Sequence, residues 1–289
     1  MTSADSILAD LAAGDLEIVG RLAEASNVAF LVRVSGRHAI YKPVMGERPL
    51  WDFPDGNLAS REVAAHVVST AGGWGLVPPT VLRSGPFGLG SVQDWIGPVP
   101  DENGHLDTEA RETGLIGIVP VGAVPEGWHT VMQGELGDGS SVFVAHADDA
   151  RLRSLAVLDA VLNNSDRKGS HVLRGGVATG PATGEDAIQP TDPADAAPIW
   201  GIDNGLCLGA DDKLRTVLWG WADEPLPPAE IDRCEALAAA LEGEAREVLE
   251  ELVTLPEMDA LDRRLERLLR TATHPRPSHD WPALPWPPL

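Results

Sequence analysis

Two short polar turns carry the side chains best suited to chemistry: Asn163-Asn164-Ser165-Asp166-Arg167-Lys168, with His171 just beyond, and Asp203-Asn204-Gly205. Each adjoins a short apolar run, and an expendable-looking loop separates them. Far upstream, Lys42 closes the run His38-Ala39-Ile40-Tyr41-Lys42 before Pro43. Phosphoryl transfer asks for such a set. It needs a carboxylate at the acceptor hydroxyl, a second on divalent metal, a further metal ligand and a lysine on the phosphates, because transition-state charge gathers on the phosphoryl oxygens. Of the 22 basic residues only three are lysine, at 42, 168 and 213, so each stands out against a surface charged by arginine. Singly the features are bland: a lysine ending a strand is ordinarily a solvated edge charge, and Asp-Asn-Gly is a good hairpin turn. Their joint presence in this order carries the reading.

The elements that would position them can be traced from the pattern. Runs 16–19 and 28–34, joined by a small polar turn, predict a hairpin, and 38–42 predicts a third strand that stops at Pro43. Asn57 is a candidate N-cap for a helix over 58–71, which ends at Gly72-Gly73 and carries Glu62 in its first two turns. Strands follow at 80–82 and 91–96, giving the order βββαββ. The segment Gly85-Pro86-Phe87-Gly88-Leu89-Gly90 looks like a phosphate loop, but no helix follows it, so it reads as a hairpin connector. Residues 99–139 are hard to read, with a helix expected over 108–118. A broad apolar stripe predicts a mostly buried helix over 148–162 running into the Asp166 turn. Short strands are expected at 171–173 and 199–202. The intervening 175–198, poor in bulky residues, reads as a disordered insertion. Helices over 228–239 and 242–270 close the fold. The last sixteen residues hold six prolines and read as an extended, solvated tail that could also suit a partner's groove.

Composition narrows the function. In 289 residues, 44 acidic side chains outnumber the basic ones to leave a net charge of −22. Nucleic acid and anionic lipid surfaces are bound by lysine and arginine displacing counterions, so both are poor partners for this chain. Hydrophobic residues make up 43%, enough for a folded core over one or two domains. The two cysteines, Cys207 and Cys234, make neither a zinc spacing nor a disulfide framework, which fits a reducing cytoplasm. The first twenty residues carry acidic side chains and no basic one, unlike a signal peptide. The most apolar stretch, 115–124, is shorter than the roughly 20 residues a membrane span needs.

Ile40-Tyr41-Lys42-Pro43 with Glu47-Arg48-Pro49, Arg61-Glu62-Val63-Ala64-Ala65, Asp166-Arg167-Lys168 and Ile202-Asp203-Asn204-Gly205 resemble the phosphatidylinositol 3/4-kinase-like branch of the protein kinase superfamily. Within it they look like a bacterial subgroup near the type II phosphatidylinositol 4-kinases. The resemblance covers roughly 16–208. It implies an α+β, bilobal protein-kinase-like fold: a small antiparallel-sheet lobe with one helix over 16–96, a mainly helical lobe over 97–272, and a tail over 273–289. It implies use of ATP with Mg²⁺ or Mn²⁺. By that resemblance Lys42 holds the α- and β-phosphates and Glu62 pairs with it. Asp166 orients or deprotonates the acceptor hydroxyl, Lys168 meets the transferring phosphate, and Asp203 binds metal. Residues 92–95, including Gln93 and Asp94, form the adenine hinge, and Ser26-Asn27 caps the phosphates in place of a glycine-rich loop. Three departures stand out. His171 replaces the metal-binding Asn expected five residues after Asp166, Asn204 replaces the Phe of Asp-Phe-Gly, and no glycine-rich loop is present. The expected activity is phosphorylation of a hydroxyl on a protein or small molecule. A phosphoinositide is disfavoured by the acidic field. The alternatives are a nucleotide-binding pseudokinase or scaffold and a nucleotidyl (AMP) transferase on the same fold.

Overall fold

Alternating apolar residues over the first hundred positions build one antiparallel sheet: β1 (Leu16–Arg21), β2 (Phe30–Val34), β3 (Arg37–Pro43), β4 (Thr80–Gly85) and β5 (Gly88–Asp94), in spatial order β1-β2-β3-β5-β4. The computed structural model describes residues 3–22, 27–99, 112–175 and 198–289. Period-2 alternation sends Ala39 and Tyr41 of β3 into a core with Val32, Val34 and Val92, closed by Ile7 and Leu11 of helix α1 (Ser3–Ala13). The same alternation turns Lys42 to the opposite face. The glycine-rich segment at 85–90 is the β4–β5 hairpin turn, with Gly88 at φ +90°. The small lobe therefore has a helix, α1, beyond the one the resemblance implied.

Helix α2 (Leu58–Ala71) has the predicted bounds because its first turn is capped twice. Asn57 Oδ1 accepts the Ser60 amide at 2.7 Å, and the Glu47 carboxylate accepts those of Leu58 and Ala59, each at 2.9 Å. Three of the four amides that a helix start leaves unpaired are thus satisfied, by carboxylate and amide oxygens at the positive end of the helix dipole.

The large lobe is built on α3 (Ala150–Leu162), which starts at the Asp149 cap and is buried on nearly every side. Around it pack α4 (Pro228–Ala240), α5 (Glu244–Glu250) and α6 (Leu255–Thr271), with Leu155, Leu158, Leu162, Leu237, Leu261 and Leu265 in one core. The single helix expected over 242–270 is two. Thr254 and Glu257 form a capping box, with Pro at the helix start, and this starts α6 afresh.

The helix expected over 108–118 is also corrected. Residues 108–111 lie outside the described residues, and Ile116–Pro120 is a strand, β6, in a three-stranded antiparallel sheet β6-β8-β7 with β7 (Trp128–Glu135) and β8 (Ser141–Ala147). The β-branched, Gly- and Pro-containing run Ile116-Gly117-Ile118-Val119-Pro120 favours an extended ribbon once β8 supplies the ladder. The large lobe is thus helical with a small sheet added. The insertion expected over 175–198 falls, for 176–197, outside the described residues. It is flanked by β9 (Val172–Arg174) and β10 (Ile199–Gly201), which pair with each other.

The proline-rich tail holds no helix or strand but is not a solvated appendage. The Ala283 carbonyl accepts from the Thr216 amide at 3.2 Å and from Trp219 Nε1 at 2.8 Å, Leu284 packs on the large-lobe core, and the Pro288 carbonyl accepts from the Gly169 amide at 2.9 Å. Prolines have no amide to pair, and it is through carbonyls, those of Ala283 and Pro288, that the tail is bound. Among the described residues no helix is long and apolar enough to cross a membrane.

Candidate active site

Lys42 leaves the sheet toward α2, where Glu62, one and a half turns from the cap, meets it. Glu62 is 3% exposed, and its Oε1 pairs directly with Lys42 Nζ. The same ammonium reaches Asp203 Oδ1 at 2.7 Å, across 161 positions of sequence. Glu62 Oε2 accepts the Asn204 amide at 3.1 Å, so one buried carboxylate holds both the strand lysine and the turn after β10. Burial pushes the Glu62 carboxyl up. The Lys42 ammonium beside Asp203 holds that carboxyl well below the usual carboxylate range. Burial also disfavours charge on Lys42, but Asp203 and Glu62 outweigh it and raise its pKa. Asp203, half exposed, keeps its second oxygen toward the cleft.

That second oxygen faces His171. His171 closes a 3-10 turn at 169–171, and its Nδ1 lies 2.9 Å from the Asp166 carbonyl, which can only accept. Nδ1 is thus the donor, and burial, partly offset by Asp203, lowers the ring's pKa. Nε2 lies 3.4 Å from Asp203 Oδ2. With Nδ1 engaged by a carbonyl, Nε2 and this carboxylate oxygen are a suitable pair of cation ligands. Asp166 takes its amide bond to Asn164 Oδ1 at 2.9 Å, and its carboxylate lies 3.2 Å from Lys168 Nζ. The structure therefore joins Lys42, Glu62, Asp203 and His171 by direct contact, and brings Asp166 and Lys168 to them through the His171 turn.

The remaining sequence-predicted residues that are described have partners of their own. Ser26 lies outside the described residues. Asn27 is tied to the chain after β3, its Oδ1 accepting the Arg48 amide at 3.1 Å. Gln93 and Asp94 are buried in β5: Gln93 Nε2 donates to Thr80 Oγ1 at 2.9 Å, and Asp94 pairs with Arg37 at 3.3 Å. The Asp94 amide bonds to the Pro79 carbonyl and that of Trp95 to the His38 carbonyl, so these two amides of the expected hinge are engaged within the lobe. Burial, partly offset by Arg37, raises Asp94 to about 6.

Sequence reasoning missed Arg167. Fully buried, it grips Asp159 of α3 with Nε at 3.1 and 3.0 Å and Nη2 at 3.0 Å, and donates to the Ile202 carbonyl at 2.7 Å, the His171 carbonyl at 3.3 Å and Asn204 Oδ1 at 2.7 Å. One guanidinium staples both polar turns to α3. The available signal was Asp159, a charge inside an otherwise apolar stripe, since such a residue needs a partner. Asn204, in the place of the expected Phe, is the other half of this staple; its Nδ2 donates to the Gly201 carbonyl at 3.0 Å.

No known family's profile matches the chain. It is 40% identical to Protein Rv2133c of Mycobacterium tuberculosis (strain ATCC 25618 / H37Rv) over 292 residues, covering 99% of this chain and 97% of that protein. Among solved structures it is similar to the Golgi casein kinase, with a TM-score of 0.50 and 13% identity over 93% of this chain and 74% of that one. The Golgi casein kinase with Mn/ADP bound gives 0.51 and 13%, over 93% and 75%. Likeness at this identity establishes the fold: bilobal and kinase-like. These likenesses do not show the phosphatidylinositol 3/4-kinase-like branch expected from the sequence motifs.

Proposed function

The chain belongs to the family of Protein Rv2133c, and we propose that its cleft transfers the γ-phosphoryl group of ATP to a hydroxyl of a protein or small molecule. One observation carries the reading: Asp203 of the second polar turn lies 2.7 Å from Lys42 Nζ of β3 and 3.4 Å from His171 Nε2 of the first. In this reading 16–96 is the nucleotide lobe, 97–272 the acceptor lobe and 273–289 a strap on the latter. Lys42, held by Glu62, meets the α- and β-phosphates. Asp166 accepts the proton of the attacking hydroxyl as its oxygen bonds to the γ-phosphorus, the bridging P–O bond breaks and ADP leaves. Lys168 neutralises the oxygens in transit.

Asp203 and His171 would hold a divalent cation, which supplies charge neutralisation at the β- and γ-phosphates. Among the described residues no three His, Cys, Asp or Glu side chains converge as a closed metal site. That suits a cation which takes its other ligands from phosphate and water. The Mn/ADP of the structurally similar Golgi casein kinase supports the choice of nucleotide and metal. The phosphatidylinositol 3/4-kinase-like branch rests on the sequence motifs, and the net charge of −22 argues for a neutral or cationic acceptor within it.

The test is ATP consumption and product mass with Mn²⁺, in the wild type and in Asp166→Ala. Turnover should fall about 10²- to 10⁴-fold, the range for loss of a general base, with Mn·ADP affinity retained. Equal turnover in the variant would remove Asp166 from the reaction. A product heavier by AMP rather than phosphate would replace the reaction with nucleotidyl transfer.

A further inference from the structure

Two of the three lysines face the cleft; the third does not. Lys213, ten residues past Asp203, has a side chain only 3% exposed, with Nζ 3.6 Å from Asp52 and 3.5 Å from Asp211. The same ammonium lies 4.4 Å from the ring centroid of Trp281, 5.0 Å from that of Trp51 and 6.0 Å from that of Phe53. Trp51 and Trp281 stack on each other at 6.0 Å. A buried ammonium is tolerated only when its charge is met, and here two carboxylates and three aromatic faces meet it.

The parts of this cage come from three places. Trp51, Asp52 and Phe53 belong to the loop between β3 and α2, Lys213 to the segment after Asp203, and Trp281 to the tail. The main chain of Lys213 is fixed as well. Its amide donates to Asn163 Oδ1 at 2.9 Å, and Asn163 Nδ2 donates to the Asp211 carbonyl at 2.6 Å; Asn163 opens the turn that carries Asp166. The caged loop in turn receives Arg61, whose guanidinium lies 4.8 Å from the Phe53 ring centroid, donates to the Asp55 carbonyl at 3.0 Å and the Cys207 carbonyl at 3.1 Å, and pairs with Glu257 of α6. Arg61 is the neighbour of Glu62.

We propose that Lys213 is a positioning residue: its aromatic-acidic cage fixes the 51–55 loop against the large lobe and, through Arg61, sets the start of α2 where Glu62 reaches Lys42. A compact ammonium fits between two stacked indoles and two carboxylates, where a planar guanidinium needs more room. The proposal rests on the nucleotide-site reading of the cleft, since that reading gives the Lys42–Glu62 pair its purpose.

Hydrogen–deuterium exchange on the full chain, with Mn·ADP titration beside it, tests the idea in Lys213→Met and Lys213→Arg. In Lys213→Met the amides of 58–62 and 204–213 should exchange about tenfold faster, a coupling of the size reported for residues acting through packed neighbours, while α3 and α6 keep wild-type rates. Mn·ADP affinity should fall by a similar factor, and Lys213→Arg should recover part of both. Unchanged exchange at 58–62 overturns the proposal whatever the affinity does, and so does faster exchange spread evenly through both lobes, which marks a general loss of stability. If Lys213→Met does not fold, Trp51→Ala, at a residue 79% exposed, carries the same expectation and the same refutation. If the wild type binds no Mn·ADP, the functional reading fails, and the exchange result still decides the clamp.

Discussion

At the scale of single residues, His171 sets this site apart from the pattern it resembles. Its Nδ1 is committed to the Asp166 carbonyl and its Nε2 to the Asp203 side of the cleft. Imidazole is a softer ligand than a carboxamide oxygen and suits Mn²⁺ better than Mg²⁺. Turnover should therefore be faster with Mn²⁺ than with Mg²⁺, and His171→Asn should narrow or reverse the ratio of the two rates, measured at saturating metal. Equal or faster wild-type turnover in Mg²⁺ would remove the imidazole from the metal's ligands. That Lys42, Asp203 and His171 come together was legible because their types and order suit one chemistry that few other arrangements need. Arg167 was not, because an arginine between Asp166 and Lys168 looks like surface charge until Asp159 is seen to lie beneath it. Nor was the use of the Asp94 and Trp95 amides within the lobe, since a strand's end does not announce which amides its neighbours claim.

At the scale of elements, local chemistry decided what could be read. Helix α2 was legible to the residue because Asn57 and Gly72-Gly73 bracket it, and its placement brings Glu62 to Lys42. Glu47, eleven residues upstream of the first amide it caps, was quoted as part of a motif but could not be assigned as a cap without the fold. Asn57→Ala should cost about 1 kcal/mol, the usual value of such a cap. Urea unfolding should show a lowered midpoint with an unchanged slope, and no change would mean that Glu47 alone suffices. The three-stranded sheet β6-β8-β7 was illegible because the chemistry that specifies it is the pairing of strands up to thirty residues apart. The break between α5 and α6 was written in Thr254, Pro256 and Glu257, a helix start masked by the continuous amphipathic pattern around it.

At the scale of the whole molecule, burial of neutral imidazoles makes stability depend on acid. His146 of β8 is fully buried, its Nδ1 donating to the Ala147 carbonyl at 2.9 Å and its Nε2 accepting the Gly220 amide at 3.1 Å, which joins the small sheet to the large lobe. Burial lowers its pKa to about 4. A lowered histidine contributes stability in full above its unfolded value of about 6.5, and that contribution is lost as pH falls toward 4. His146→Gln, which can still accept from Gly220, should lose about 3 kcal/mol less than the wild type between pH 6.5 and pH 4, given the shift to about 4. Parallel unfolding curves in the two proteins would contradict that. Asp94, raised to about 6, titrates across the same interval with the opposite sign, so the comparison between variants is more telling than either profile. In the proposed reaction, stretches 161 positions apart meet around one nucleotide and its cation. Calorimetric titration of Mn·ADP into the wild type, Lys42→Met and Asp203→Asn tests it most directly. Binding in the wild type with loss of most of the affinity in each variant is the predicted result, and undiminished binding in both, or no binding by the wild type, would contradict it.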